Sequence, residues 1–210
     1  VVARHNDTNF IYLIGGHAQL PGRNAAYASK YYQDVWRTAD GTNWTRVFST
    51  NFGMRSELAA VVDDNQTIYI QGGTYGAVFE TEDNASQPQP DWQNLWQSSD
   101  GTNWTSSKMI DAVPEGHLYR SDHQMVWYQN RIWTLPGKTT SNDHYTFTSP
   151  GHYEIWTYAP NTDTWVVDSE GVPIDARHGY EAVVFDGQIF VLGGFTNKNG
   201  QNNDVWSAKF

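Results

Sequence analysis

Ile11-Tyr12-Leu13-Ile14-Gly15-Gly16 is an alternating apolar strand that ends on two glycines, and the chain writes it four times. It returns as Ile68-Tyr69-Ile70-Gln71-Gly72-Gly73, as Ile132-Trp133-Thr134-Leu135-Pro136-Gly137 and as Ile189-Phe190-Val191-Leu192-Gly193-Gly194. Period-2 alternation makes each copy a strand with two distinct faces. The paired glycines end it where the backbone must turn sharply through positive φ. Around each copy the same companions recur. Downstream lies a second strand carrying tryptophan: Asp34-Val35-Trp36, Asn94-Leu95-Trp96, Glu154-Ile155-Trp156 and Asp204-Val205-Trp206. A tight turn and another tryptophan follow it, as Asp40-Gly41-Thr42-Asn43-Trp44, Asp100-Gly101-Thr102-Asn103-Trp104 and Asn161-Thr162-Asp163-Thr164-Trp165. Upstream of the last three copies runs an inner strand announced by Arg55, Arg120 or Arg177.

Four strands per repeat, four repeats and no helical periodicity define an all-β chain of four-stranded antiparallel sheets. Steps of 57, 64 and 57 residues separate the second glycines. That is somewhat longer than the roughly 50 residues of a Kelch-type repeat, so the connections are long. Trp, Tyr and Phe make up 15% of the chain, which suits sheets that must fill the space between one another. The expected fold is a four-bladed β-propeller, one domain over 1–210, with blades at about 1–54, 55–119, 120–176 and 177–210. Closure into a compact ring would place Trp36, Trp96, Trp156 and Trp206 in equivalent buried positions.

The Gly-Gly pair followed by spaced aromatics resembles the Kelch repeat of the galactose-oxidase-like propeller superfamily, and the resemblance runs along the whole chain. Pro136, where the other copies have glycine, is its one departure. The resemblance implies a propeller fold. It does not extend to the copper oxidase chemistry of that superfamily, which needs a cysteine bonded to tyrosine, because the chain has no cysteine. The Ser98–Trp104 turn is also similar to the Asp-box of sialidases, itself a structural turn.

Chemistry is sparse along the rest of the sequence. A net charge of −10 and no cluster of Lys or Arg argue against nucleic acid. No apolar run is long enough for a spanning helix. His5, His17, His117, His123, His144, His152 and His178 show no metal-ligand spacing, although His144, Asp143, His152 and Glu154 share a stretch. No nucleophile, phosphate-loop or paired-carboxylate motif appears. The sequence therefore predicts no catalytic residue, no cofactor and no metal. Arg55, Arg120 and Arg177 recur with the repeat, so they are expected to bond loop carbonyls or carboxylates near the axis rather than to form an anion site.

Two features point outward. Asn6, Asn43, Asn65, Asn84 and Asn103 each head an Asn-x-Ser/Thr sequon, which leads to the expectation of an extracellular, secreted glycoprotein. Four of them fall in turns at one end of the blades. The fourth repeat also stops at Phe210 without the outer strand its siblings have, leaving Asn203, Asp204, Val205, Trp206, Ser207, Ala208, Lys209 and Phe210 as an assembly edge. The expected function is a non-enzymatic structural or adhesive propeller, self-assembling into a homopolymer or filament by strand addition there. The alternative is a module that binds an extracellular glycan or protein through the long loops after each Gly-Gly.

Overall fold

The structure is a computed structural model that describes residues 1–19, 29–47, 51–74, 94–107, 120–139, 154–168, 177–196 and 198–210. The first repeat gives β1 (Val2–His5) and β2 (Thr8–Ile14), a short hairpin β3 (His17–Gln19) and β4 (Ser29–Tyr31), then β5 (Val35–Thr38) and β6 (Thr45–Val47). The second gives β7 (Ala59–Val62), β8 (Ile68–Gln71), β9 (Leu95–Ser98) and β10 (Thr105–Ser107). The third gives β11 (Arg120–Ser121), β12 (Met125–Tyr128), β13 (Arg131–Thr134), β14 (Lys138–Thr139), β15 (Ile155–Ala159) and β16 (Thr164–Asp168). The fourth gives β17 (Arg177–His178), β18 (Glu181–Phe185), β19 (Gln188–Thr196) and β20 (Gly200–Ala208). No helix of the described residues is long and apolar enough to cross a membrane.

Each of the first three repeats folds into one four-stranded antiparallel sheet: β1-β2-β5-β6, β7-β8-β9-β10 and β12-β13-β15-β16. The fourth has β18-β19-β20, with β17 on the extension of β19. Register is conserved among the copies. Leu13 pairs with Trp36, Ile70 with Trp96, Thr134 with Trp156 and Val191 with Trp206. The four tryptophans therefore hold one position of one repeat. Local turn chemistry supports this. Asn6-Asp7, Gln129-Asn130 and Asp186-Gly187 take positive φ at both residues, the mirror-image turn whose twist suits a tight hairpin.

Three apolar interfaces join the sheets in sequence order. Ala3, Tyr12 and Val35 of the first sheet pack on Ile68, Ile70, Trp96 and Trp104 of the second. Val61, Tyr69 and Leu95 on the second sheet's other face meet Met125, Ile132, Trp156 and Trp165 of the third. Val126, Trp133, Leu135 and Ile155 then meet Ile189, Val191 and Tyr180 of the fourth. Alternation along each strand sends neighbouring side chains to different interfaces.

The glycine pairs have a second role besides the turn. Gly16 N–H donates to the Arg55 carbonyl and Gly73 N–H to the Arg120 carbonyl, each at 2.8 Å, tying one sheet to the next. A Cβ added at Gly72 would lie 2.2 Å from the Arg120 oxygen, and one at Gly15 would lie 2.6 Å from the Arg55 oxygen. Only glycine lets the two backbones come this close.

Among the described residues no fourth interface joins the fourth sheet to the first. The expected equivalent burial of the four tryptophans is corrected: Trp96 and Trp156 are buried, Trp36 is half-buried and Trp206 is exposed. Trp36 shares its face with Leu13, on which no described sheet packs. Trp206 shares the face of Val191 toward the third sheet and is exposed because no described outer strand lies beside β20.

Candidate interaction surfaces

The three repeat arginines are nearly or fully buried. Arg55 donates to the carbonyls of Gly72 at 3.1 Å and of Phe52. Arg120 donates to Leu135 O at 3.3 Å and Glu154 O at 2.9 Å, and its guanidinium lies 3.7 Å from the Trp156 ring centroid. Arg177 donates to Gly193 O at 2.8 Å and to both oxygens of Asp204, at 2.7 and 3.0 Å. The partner shifts by one residue in the third repeat, where Pro136 replaces glycine. These cations brace their own sheets by bonding carbonyls and a carboxylate, as the repeat pattern predicts. Burial pushes Arg120 down to about 10, still protonated at neutral pH.

Next to them is a charged cluster that the sequence did not single out. Two residues after each arginine stand Glu57, Asp122 and Gly179, all at positive φ, of 56°, 51° and 60°. Asp122 N–H donates to Glu57 O at 3.0 Å, and Gly179 N–H donates to Asp122 O at 3.1 Å. This backbone ladder climbs from the second sheet to the third and then the fourth. Lys138 pairs with Asp122 and sits 3.7 Å from Glu57, while His178 Nδ1 lies 3.3 Å from Asp122. Burial lowers the His178 pKa, Lys138 adds to this, and Asp122 opposes it. The signal in the sequence was the fixed offset from arginine, which a reading by residue type overlooks. The charges are paired with one another, which makes the cluster a staple between sheets. Among the described residues no group of three or more His, Asp or Glu could hold a metal ion. His144, Asp143 and His152 lie outside the described residues.

The sequon asparagines Asn6, Asn43, Asn65 and Asn103 are all exposed, in the β1–β2, β5–β6, β7–β8 and β9–β10 turns. Those turns lie at the end of the sheets opposite the glycine pairs. Asn84 and the longer connections, 20–28, 75–93 and 140–153, lie outside the described residues. The Asp40 and Asp100 turns are twins. Asp40 accepts from Thr42 N–H, Asn43 N–H and Asn43 Nδ2 at 2.8, 2.7 and 2.7 Å. Asp100 accepts from Thr102 N–H, Asn103 N–H and Asn103 Nδ2 at 2.7, 2.7 and 2.8 Å. Partial burial raises the Asp100 pKa, but these donors outweigh it and hold the carboxyl at about 2. Each asparagine amide spends one of its two N–H groups on aspartate, so the other is free in chemical terms to carry a sugar.

The proposed edge is described from end to end. β20 pairs only with β19 among the described strands, so its other side is a sheet edge. Contrary to a free edge running to Phe210, the strand stops at Ala208. Lys209 and Phe210 lie beyond it, and the Phe210 ring packs 4.5 Å from Trp133 of the third sheet while its carbonyl accepts from Gln129 Nε2 at 2.8 Å. A C-terminal turn onto the neighbouring sheet captures the last aromatic. Asp204 is also engaged, holding Arg177 and accepting the Trp206 indole N–H at 2.6 Å. The glycine pair does not open into a loop here: β19 runs through it with a bulge between Leu192 and Gly194 and pairs onward to Thr196.

A Kelch motif matches residues 176–207, the span of the fourth sheet. With the all-β architecture of four-stranded antiparallel sheets, this match fits a Kelch-repeat propeller, a fold that typically mediates protein–protein interaction. The chain has no significant match among curated proteins.

Proposed function

We propose that this chain is a secreted, non-enzymatic structural or adhesive protein that assembles by accepting a β-strand along β20. The observation that carries the reading is the side of β20 that no described strand pairs, nine residues long, without proline, and bearing exposed Val205 and Trp206. Open N–H and C=O groups of this kind bind an extended segment through main-chain hydrogen bonds. The added strand would complete the last sheet and cover Trp206, as β10 and β16 complete the sheets that hold Trp96 and Trp156. The Kelch match supports a protein partner. The sequons in exposed turns at one end support secretion, with glycans held clear of β20's edge.

Hydrogen exchange of Gln201–Ala208 at rising protein concentration tests the reading. Strand addition slows the alternate amides that point away from β19. If those amides exchange freely at every concentration, and with the natural source extract added, the reading fails. A mass unchanged by glycosidase in protein from its natural source would remove the case for secretion.

A further inference from the structure

The first and fourth sheets end the stack with faces that elsewhere in the molecule are buried. Ile11, Leu13 and Trp36 occupy the repeat positions of Ile68, Ile70 and Trp96 and point the same way, yet no described sheet packs on them. Leu13 is 57% exposed and Ile70 0%. At the other end Val183, Phe190 and Val205 occupy the positions of Val61, Tyr69 and Leu95. Val205 is 61% exposed and Leu95 1%, and Phe185 and Leu192 extend the same exposed face. One end thus shows the half-interface that receives a preceding sheet, and the other the half that receives a following sheet. A contiguous apolar surface of this kind marks an interaction site.

We propose that these two faces join to each other between copies of this chain, the fourth sheet of one copy packing on the first sheet of the next. The occupant is a second copy because the two halves continue an interface the chain already makes three times, in the same register. Their details also fit. Within the molecule the Tyr12 ring fills a notch at Gly101, where an added Cβ would lie 2.4 Å from the ring. Phe190 is the fourth sheet's residue at the Tyr12 position. Gly41 is the first sheet's residue at the Gly101 position, and a Cβ there meets nothing within 4 Å. The aromatic ring and its empty notch stand at opposite ends of one molecule, so the contact is head-to-tail and closes into a ring only if its rotation permits. This surface is the face of the end sheets, distinct from the edge of β20, and neither depends on the other.

The test is sedimentation velocity of the whole chain over a wide concentration range, with Leu13→Asp and Val205→Asp. Wild type should associate with rising concentration. A carboxylate set into either face should weaken association about a hundredfold or more, since a desolvated unpaired charge is so costly. At concentrations where the Gln201–Ala208 amides exchange freely, so that β20 is unoccupied, each variant alone should be monomeric. Under the same conditions an equimolar mixture should stop at a dimer, because Leu13→Asp keeps an intact fourth sheet and Val205→Asp an intact first. Circular dichroism checks folding, and Ile11→Asp with Leu192→Asp form a second pair should either variant fail to fold. A wild-type chain monomeric throughout, a variant that associates like wild type, or a mixture that forms no dimer overturns the proposal. Strand addition at β20 is read separately by amide exchange and survives Leu13→Asp, so the two ideas fail independently.

Discussion

The second and third sheets, covered on both faces, share the repeat's motifs with the first and fourth, apart from the outer strand that the fourth lacks, and differ from them chiefly in burial. Trp44 and Trp104 close the same Asp-Gly-Thr-Asn turn, with the same hydrogen bonds, yet Trp44 is 41% exposed and Trp104 5%. Trp104 packs edge-on to Phe52, with ring centroids 5.4 Å apart, in the seam between the first two sheets. Trp44 looks out from a sheet face on which no described sheet packs. The indole N–H groups differ as well. Trp36 and Trp206 donate to Asp34 and Asp204, while those of Trp96 and Trp156 are buried without a partner among the described residues. In a repeat protein, stability belongs to interfaces between neighbours as much as to the repeats themselves.

That contrast yields matched substitutions. The largest effect is expected at the tryptophans. Trp156→Ala, in the middle of the stack, should cost about 3–5 kcal/mol in denaturant unfolding, as for other large buried aromatics. Trp36→Ala, at the same repeat position in the first sheet, should cost about 1 kcal/mol or less, because much of its surface is already wet. Equal losses would mean that the first sheet has a hidden neighbour. The glycines of the twin turns give the next effect. Gly41 and Gly101 have φ of +75° and +71°, so alanine is strained at both by about 1–2 kcal/mol. Only Gly101→Ala also drives a methyl into the Tyr12 ring, adding about 1–3 kcal/mol of overpacking. The difference between the two variants isolates the interface from the turn.

Acid should also attack the interior of the stack first. His123 is fully buried between the second and third sheets, beside Gly72 and Gly137, with neither ring nitrogen hydrogen-bonded among the described residues. Burial and then Arg120 push its pKa down to about 3. The unfolded chain, with an ordinary imidazole near 6.5, binds the proton more readily. Stability due to neutral His123 is therefore complete above about pH 6.5 and falls as pH drops toward 3, at up to about 1.4 kcal/mol per pH unit. His123→Phe should flatten that slope in a pH series of unfolding curves; an unchanged slope would assign it elsewhere. Asp100 and Asp204, held at about 2, extend the loss below pH 4, and being exposed or nearly so they give the smallest effect.

The sequence announces the repeat strongly because Gly-Gly, Asp-x-Trp and Asp-Gly-Thr-Asn-Trp each have a local cause: a positive φ, a cross-strand position, a self-bonded turn. Sheet order and register follow from these. What the sequence could not announce depends on neighbours. Ile11 and Ile68 are the same residue in the same motif, and only the presence or absence of an adjoining sheet makes one exposed and the other buried. The arginines were legible as braces because they recur. Glu57, Asp122, Lys138 and His178 were not, since their pairing crosses from one repeat to another and two of them depend on a left-handed backbone. The edge of β20 was legible from a missing strand, but not the turn that folds Phe210 onto Trp133, a contact made across 77 residues of chain.

The central claim, that the stack ends in two open faces, is read most directly by hydroxyl-radical footprinting of the protein at a concentration where it is monomeric. The oxidation rate at Trp44 should exceed that at Trp104 several-fold, with Leu13 and Phe185 more reactive than Ile70 and Tyr69. Equal protection of Trp44 and Trp104, together with Leu13 as shielded as Ile70, would contradict it, because the fourth sheet would then be packed against the first in a closed ring.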